Sequence, residues 1–290
     1  MLIEVSAAGV SFPDLLMTRG RYQMKPELPF VPGAEIAGVV VESARGSRWR
    51  PGDRVAAVPG LGGFAQYAVV NEEFVLPIPD GLALETAAAM PVNYLTAYFS
   101  LVHRAQLAAG ESVLVHGAAG GLGSASIQVA RAFGAGHVVA VVSSPAKGEV
   151  AIRAGADEFV LVEGFVSHAR NLGGVDIVVD PVGGDRFTDS LRALRDDGRL
   201  LVVGFTAGEI PTVKVNRLLL NNVSVVGAGH GAYTSRRAGY EQAEWDALLP
   251  HIESGLLDLP QLTTFPLETA AEALREMDER RVLGKVVLTL

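Results

Sequence analysis

The segment Val113-Leu114-Val115-His116-Gly117-Ala118-Ala119-Gly120-Gly121-Leu122-Gly123 constrains this chain more than any other. An apolar, partly β-branched run ends in a glycine-rich turn, and Ser124 to Phe133 then carries a helical pattern. A strand that feeds a helix through so short a turn opens a βαβ unit. Within the turn, Ala118-x-Gly120-x-x-Gly123 matches the dinucleotide fingerprint, with alanine in place of its first glycine. One small residue makes the turn and one lets the backbone approach a pyrophosphate. The last packs helix against strand, and the helix N-terminus turns amides and a positive dipole end towards the phosphates. Ala118, Ala119, Gly120, Gly121, Leu122 and Gly123 are the expected phosphate-binding residues. A glycine pattern alone is weak; its place between a strand and a helix is what gives it weight.

The same alternation continues downstream. The pattern predicts strands at 112–116, 137–142, 159–162, 175–180 and 199–205, separated by helices at 124–133, 146–154, 166–172 and 187–194. Continuous apolar strands between helices belong to a parallel sheet covered on both faces. The first hundred residues read differently. Leu2-Ile3-Glu4-Val5 alternates, Ile36 to Val41 is an apolar run after the turn signal Pro32-Gly33, and Arg54 to Val58 follows the turn Pro51-Gly52-Asp53. With a further strand at 64–70, this predicts an antiparallel sheet or partial barrel. Helical patterns cover 84–90 and 93–106. In the tail, 241–254 reads as a helix, Thr269-x-x-Glu272 as a capping box opening a helix to about Arg280, and 285–290 as a last strand. The predicted fold is α/β: a β-rich domain at 1–92 and 232–290, interrupted by a doubly wound domain at 93–231.

Composition narrows the function classes. The 290 residues are 49% hydrophobic and 19% charged, ample for a sizeable core and unlike a disordered chain. The chain has no cysteine, which removes disulfides and thiolate metal sites and fits a reducing cytoplasm. A net charge of −8 gives nucleic acid little to hold, so no nucleic-acid partner is expected. Neither a signal peptide nor an apolar run of membrane-spanning length is found, so no membrane partner is expected either. The six histidines have no ligand spacing, and no metal is expected.

The second predicted strand of the α/β domain ends in Val142-Ser143-Ser144-Pro145-Ala146-Lys147, with no carboxylate before Glu149. NAD sites place Asp or Glu in this region for the ribose 2′-hydroxyl. Two hydroxyls and an ammonium suit a 2′-phosphate instead. Ser143, Ser144 and Lys147 therefore point to NADPH; a helix N-cap beside a solvated lysine is the structural alternative.

Taken together, the sequence resembles the medium-chain dehydrogenase/reductases, in their zinc-free quinone oxidoreductase (zeta-crystallin-like) branch. The likeness rests on Ala8 to Asp14, Pro32 to Val40, Pro51 to Val55, His116 to Gly123, Asp180 to Gly184, Asp197 to Phe205 and Gly284 to Val287. It implies a GroES-like substrate domain around a Rossmann domain, with a cleft between them, and NADPH-dependent reduction of quinones or activated C=C bonds such as enones. It also implies that Asn93, Thr96, Gly204 and Phe205 approach the nicotinamide and that Lys285 belongs to the cofactor set. Three departures stand out. Relatives carry one or two further strands before Leu2, which leaves a sheet edge here. They have Asn where this chain has Ser11. One tyrosine of some relatives falls at Leu16, while another is retained as Tyr22; Leu161 and Val162 replace a third.

Ser11 and Tyr22 are the expected catalytic residues. The Tyr22 hydroxyl either bonds a substrate carbonyl or packs on its own domain. Asp14 reads as a loop-surface carboxylate, His116 as a packed strand-end residue and Tyr233 as a cleft residue. The resemblance implies that the strand 221–227 pairs across a two-fold axis in a homodimer. Two other functions remain open: an enoyl-thioester reductase with a basic groove near Arg236, Arg237 or Lys285, and a non-catalytic NADPH-binding protein of the crystallin or RNA-element type.

Overall fold

A computed structural model describes residues 1–258 and 261–290. The chain divides into two compact units. The first comprises Met1–Leu95, Arg237–Glu253 and Gln261–Leu290, and the second comprises Thr96–Arg236 with residues 254–258.

The first unit is built on a seven-stranded sheet. Strands β1 (Leu2–Val10), β2 (Glu35–Glu42), β3 (Arg54–Ala57), β4 (Tyr67–Val69) and β5 (Val75–Pro77) come from the N-terminal stretch. In sheet order, β12 (Leu262–Pro266) and β13 (Lys285–Thr289) continue it as β12-β13-β1-β2-β3-β5, with β4 on β1. All pairings are antiparallel except β12 with β13. β2 can lie tight on β1 because Gly38 has no side chain: a Cβ there would overlap the Glu4 carbonyl. Ile3, Val5, Ile36, Val40, Val55, Val75, Val286 and Leu288 fill the core on one face. The unit also holds helices α1 (Phe12–Thr18), α2 (Leu84–Ala88) and α3 (Pro91–Tyr98), the last running on into the second unit. Trp245, on a later helix at Tyr240–Glu253, is fully buried and donates its indole N–H to the Pro77 carbonyl at 2.7 Å.

The second unit is a six-stranded, wholly parallel sheet. Its strands are β6 (Ser112–His116), β7 (His137–Val142), β8 (Glu158–Leu161), β9 (Val175–Asp180), β10 (Leu194–Val202) and β11 (Ser224–Gly227). They lie in the order β11-β10-β9-β6-β7-β8. The order reverses at β6, which is the arrangement of a dinucleotide fold. Helices α4 (Gly121–Ala132), α5 (Pro145–Arg153), α6 (Phe165–Asn171), α7 (Arg186–Ala193) and α8 (Asn216–Asn221) provide the crossovers, and α9 (His230–Thr234) follows β11. Leu114, Val139, Val141, Val178 and Leu200 meet Phe165, Phe187 and Leu191 of the helices in one core. The α/β architecture expected from the alternation is the one observed.

Four local expectations are corrected. The helical pattern of 93–106 is α3 only to Tyr98, after which Phe99–Arg104 winds as a π-helix. The strand expected at 199–205 begins at Leu194 and ends at Val202, where its neighbour β9 also ends: Val202 is paired with Asp180, and the Val203 amide makes a last bond to the Asp180 carbonyl at 3.0 Å. The edge strand starts late, at Ser224, because 216–221 is helical and Asn222 ends that helix at φ +47°. Thr269 does not form a capping box: it sits at the end of a 3-10 turn and donates its hydroxyl to the Pro266 carbonyl at 2.9 Å.

Leu114 is buried at the centre of the parallel sheet. Leu114→Ala is expected to lower unfolding free energy by about 2–5 kcal/mol, read from urea denaturation.

Candidate functional site

In the second unit the site is a turn held against its own helix. Gly117 follows the last residue of β6 and adopts φ +62°, so it is the turn-making glycine. Its carbonyl accepts the Gly120 amide at 3.0 Å, and the Ser124 amide reaches the Gly120 carbonyl at 2.8 Å. A Cβ on Gly123 would overlap the Gly117 carbonyl and stand 2.7 Å from Ala118 Cα. Gly123 is thus the packing glycine. Gly120 differs: a Cβ there would meet only the Gly117 carbonyl, at 3.4 Å. The backbone at Gly120 faces open space at the start of α4, whose first amides lack intrahelical partners. Ala118 and Ala119 are buried beneath it, and Gly121 and Leu122 are half-buried.

His116 lies under this turn, fully buried, with Nε2 2.8 Å from Ser190 Oγ and its ring edge-on to Phe165. Burial, helped by the Arg186 charge, pushes its pKa down to about 3, so the ring is neutral. At the end of the neighbouring β7, Ser143 is exposed and Lys147 Nζ donates to Ser143 Oγ at 3.2 Å. Ser144 occupies the N-cap position of α5 in extended conformation, yet its hydroxyl makes no cap bond. At the ends of β9 and β10 two more turns meet. Asp180 accepts the Val182 and Gly183 amides at 2.9 Å each, and burial raises its pKa above the ordinary carboxylate range. Gly204 and Phe205 lie over this turn, with the Thr206 amide on the Pro181 carbonyl at 3.1 Å and Phe205 36% exposed. Thr96 is half-buried, and its carbonyl accepts Ser100 Oγ at 2.7 Å at the entry to the π-helix.

In the first unit the structure assembles a buried charged network. Glu35 opens β2 with no solvent exposure. Its Oε1 accepts Ser11 Oγ at 2.7 Å and pairs closely with Lys285 Nζ, and its Oε2 accepts the Val92 amide at 2.8 Å. Lys285 Nζ also donates to Ser11 Oγ at 2.8 Å, and Lys285 is 3% exposed. Gly9 makes the room, since a Cβ there would stand 2.6 Å from Glu35 Cγ. Ser11, the expected catalytic residue, is thus bonded to both members of an ion pair. Lys285, expected at the cofactor, is the cation of that pair. Such a pair is costly to desolvate and holds because every polar atom is bonded. Glu35 was not singled out from the sequence. The signal available was a carboxylate at the head of an all-apolar strand, matched by a lysine at the head of Val286-Val287-Leu288.

Asp14 corrects its surface reading. It is fully buried, with its carboxylate accepting the Ser11 amide at 2.8 Å and the Gly33 amide at 3.0 Å. Burial outweighs those bonds and lifts its pKa to about 6. Tyr22 is half-buried in the following loop, and burial together with the Asp14 charge raises its pKa. Asn93 is buried in α3, with Nδ2 3.4 Å from the Ala89 carbonyl. Among the described residues no group of three or more His, Asp or Glu side chains is placed to hold a metal ion.

Two family models match parts of the chain. Residues 1–80 match the family model of the alcohol dehydrogenase GroES-like domain, and residues 121–254 match that of the zinc-binding dehydrogenases. Quinone oxidoreductase-like protein 2 of Bos taurus is 37% identical over 294 residues, covering 99% of this chain and 84% of that one. A probable oxidoreductase from Mycobacterium abscessus is 40% identical, with a TM-score of 0.90 over all of this chain and 89% of its own. The quinone oxidoreductase of Thermus thermophilus, solved alone and with NADPH, is 37% identical, with a TM-score of 0.87 over all of this chain and 91% of its own.

Asp14 binds protons more tightly in the folded than in the unfolded chain, so its protonation favours the fold. That contribution is complete below the unfolded pKa near 3.8 and is lost as pH rises through about 6. The difference in melting temperature between the native protein and Asp14→Asn is expected to grow in favour of the native protein as pH falls from about 7 to about 4.5.

Proposed function

The chain belongs to the quinone oxidoreductases of the medium-chain dehydrogenase/reductase superfamily, and on that premise we propose that it is an NADPH-dependent enzyme reducing quinones or activated C=C bonds. The second unit is read as the cofactor domain and the first as the substrate domain. The observation that carries the reading is the open backbone at Gly120, flanked by hydroxyls and an ammonium at the end of β7 where NAD enzymes place a carboxylate.

The residues fit the cofactor in chemical type. The amides from Ala118 to Gly123 would hold the pyrophosphate, and Ser143, Ser144 and Lys147 the 2′-phosphate. Asn93, Thr96, Gly204 and Phe205 would orient the nicotinamide. When bound, that ring supplies a hydride to an electrophilic carbon. Tyr22 is the proposed donor to the acceptor's carbonyl oxygen, where charge develops; a tyrosine hydroxyl is protonated at neutral pH, and burial with the Asp14 charge raises its pKa further. Ser11 and Lys285 enter as a positioning pair with Glu35. Zinc does not fit: the chain has no cysteine, and Ala34 stands between Gly33 and Glu35.

With Lys285 held by Glu35, an enoyl-thioester reductase would have only Arg236 and Arg237 of the three basic residues as anion contacts, so the quinone or enone reading is preferred. A homodimer is also proposed. It is supported by β11 at the sheet edge and by Leu219 and Leu220, exposed on α8 beside it. The cysteine-free composition supports a cytoplasmic setting.

Oxidation of NADPH with 1,4-quinones and small enones, with NADH alongside, tests this. Turnover with NADPH preferred is expected. Ser143→Ala with Lys147→Ala is expected to shrink that preference about tenfold or more. Equal use of both cofactors by the native protein would contradict the phosphate assignment.

A further inference from the structure

The second unit carries a cavity of about 400 Å³ that the proposed chemistry does not use. It opens where α6, α7 and α8 end, beside the first residues of β9 and β10. In a parallel sheet this is the end opposite to the glycine turn of β6, so the cavity is separate from the dinucleotide residues.

Its lining is cationic. Arg170, Arg192 and Arg217 are among its lining residues and no Asp or Glu is, in a chain of net charge −8. Arg192 is paired with Asp189 at 2.7 Å. Among the described residues neither the Arg170 nor the Arg217 guanidinium has a carboxylate partner. Arginines in the last turns of α6 and α7 have an ordinary explanation in the helix field. That explanation fails for Arg217, which sits in the first turn of α8, where the field repels a cation. It is also weak for Arg170. The end of α6 is already closed by backbone, with the Gly174 amide on the Ala169 carbonyl at 2.8 Å, and the Gly174 carbonyl is taken by Arg195 at 2.8 Å. Two arginines, Arg170 exposed and Arg217 half-buried, therefore line one cavity without a carboxylate partner among the described residues. Two apolar residues also line it, Leu191 buried and Leu194 half-buried.

Guanidinium forks match tetrahedral oxyanions, and two of them balance a dianion. We propose that this cavity binds a phosphate monoester, its phosphoryl head between Arg170 and Arg217 and its organic tail over Leu191 and Leu194.

The test is calorimetric titration of the NADPH-saturated protein with phenyl phosphate, and with inorganic phosphate as a second arm. The expected result is saturable phenyl phosphate binding, weakened about tenfold or more in Arg170→Gln/Arg217→Gln, with melting temperature and NADPH affinity unchanged. Arg170→Lys/Arg217→Lys, which keeps both charges, is expected to bind better than the Gln pair. Inorganic phosphate is expected to bind more weakly; equal binding would overturn the tail assignment. No binding by the native protein would overturn the proposal. So would binding that survives the Gln pair but is lost in Lys147→Ala, which would place the ligand among the residues assigned to NADPH.

Discussion

What the second unit can offer a ligand depends on how closely α4 approaches the end of β6. The approach is set at Gly123, whose missing side chain lets the helix rest on the Gly117 carbonyl and Ala118 Cα. Gly117 reverses the chain by taking a positive φ, which an L-residue with a Cβ rarely adopts. Together they leave the backbone at Gly120 uncovered, with the unpaired amides of a twelve-residue helix behind it. His116 and Ser190 support the turn from below. Burial keeps the imidazole neutral.

The first unit depends on a different constraint, a buried charge that must be satisfied. Glu35, Lys285 and Ser11 tie the head of β2, the head of β13 and the junction of β1 with α1 into one network, and the Val92 amide brings in α3. Removing one partner of such a pair leaves the other charged and dry, which typically costs about 3–5 kcal/mol. Asp14 adds a second carboxylate close by, held by two amides from opposite sides of the loop. Its bond to Gly33 joins the chain on either side of Tyr22, and its bond to Ser11 adds to those that Ser11 makes with Glu35 and Lys285. The Ser11 hydroxyl proton is committed to Glu35, so a role for Ser11 runs through that network.

The parallel sheet was legible because its strands are unbroken apolar runs, and β7 and β9 fall where the pattern puts them. The glycine turn was legible because each of its glycines answers a local steric demand. The ion pair was not, since Glu35 and Lys285 are 250 positions apart and only the pairing of β1 with both β2 and β13 brings them together. Asp14 misled for the same reason. A carboxylate after Phe12-Pro13 looks like a loop residue until Gly33 arrives to bond it. The late start of the edge strand and the π-helix after Tyr98 likewise reflect tertiary packing, which apolar periodicity does not encode.

The most direct test of the account is a comparison of Gly120→Ala with Gly123→Ala in NADPH binding and thermal unfolding. Gly120→Ala is expected to unfold at nearly the native temperature while binding NADPH about tenfold or more weakly, because its methyl group enters only the space assigned to the pyrophosphate. Gly123→Ala is expected to lower the melting temperature itself, because its methyl group meets backbone. Native NADPH affinity in a well-folded Gly120→Ala protein would contradict the account.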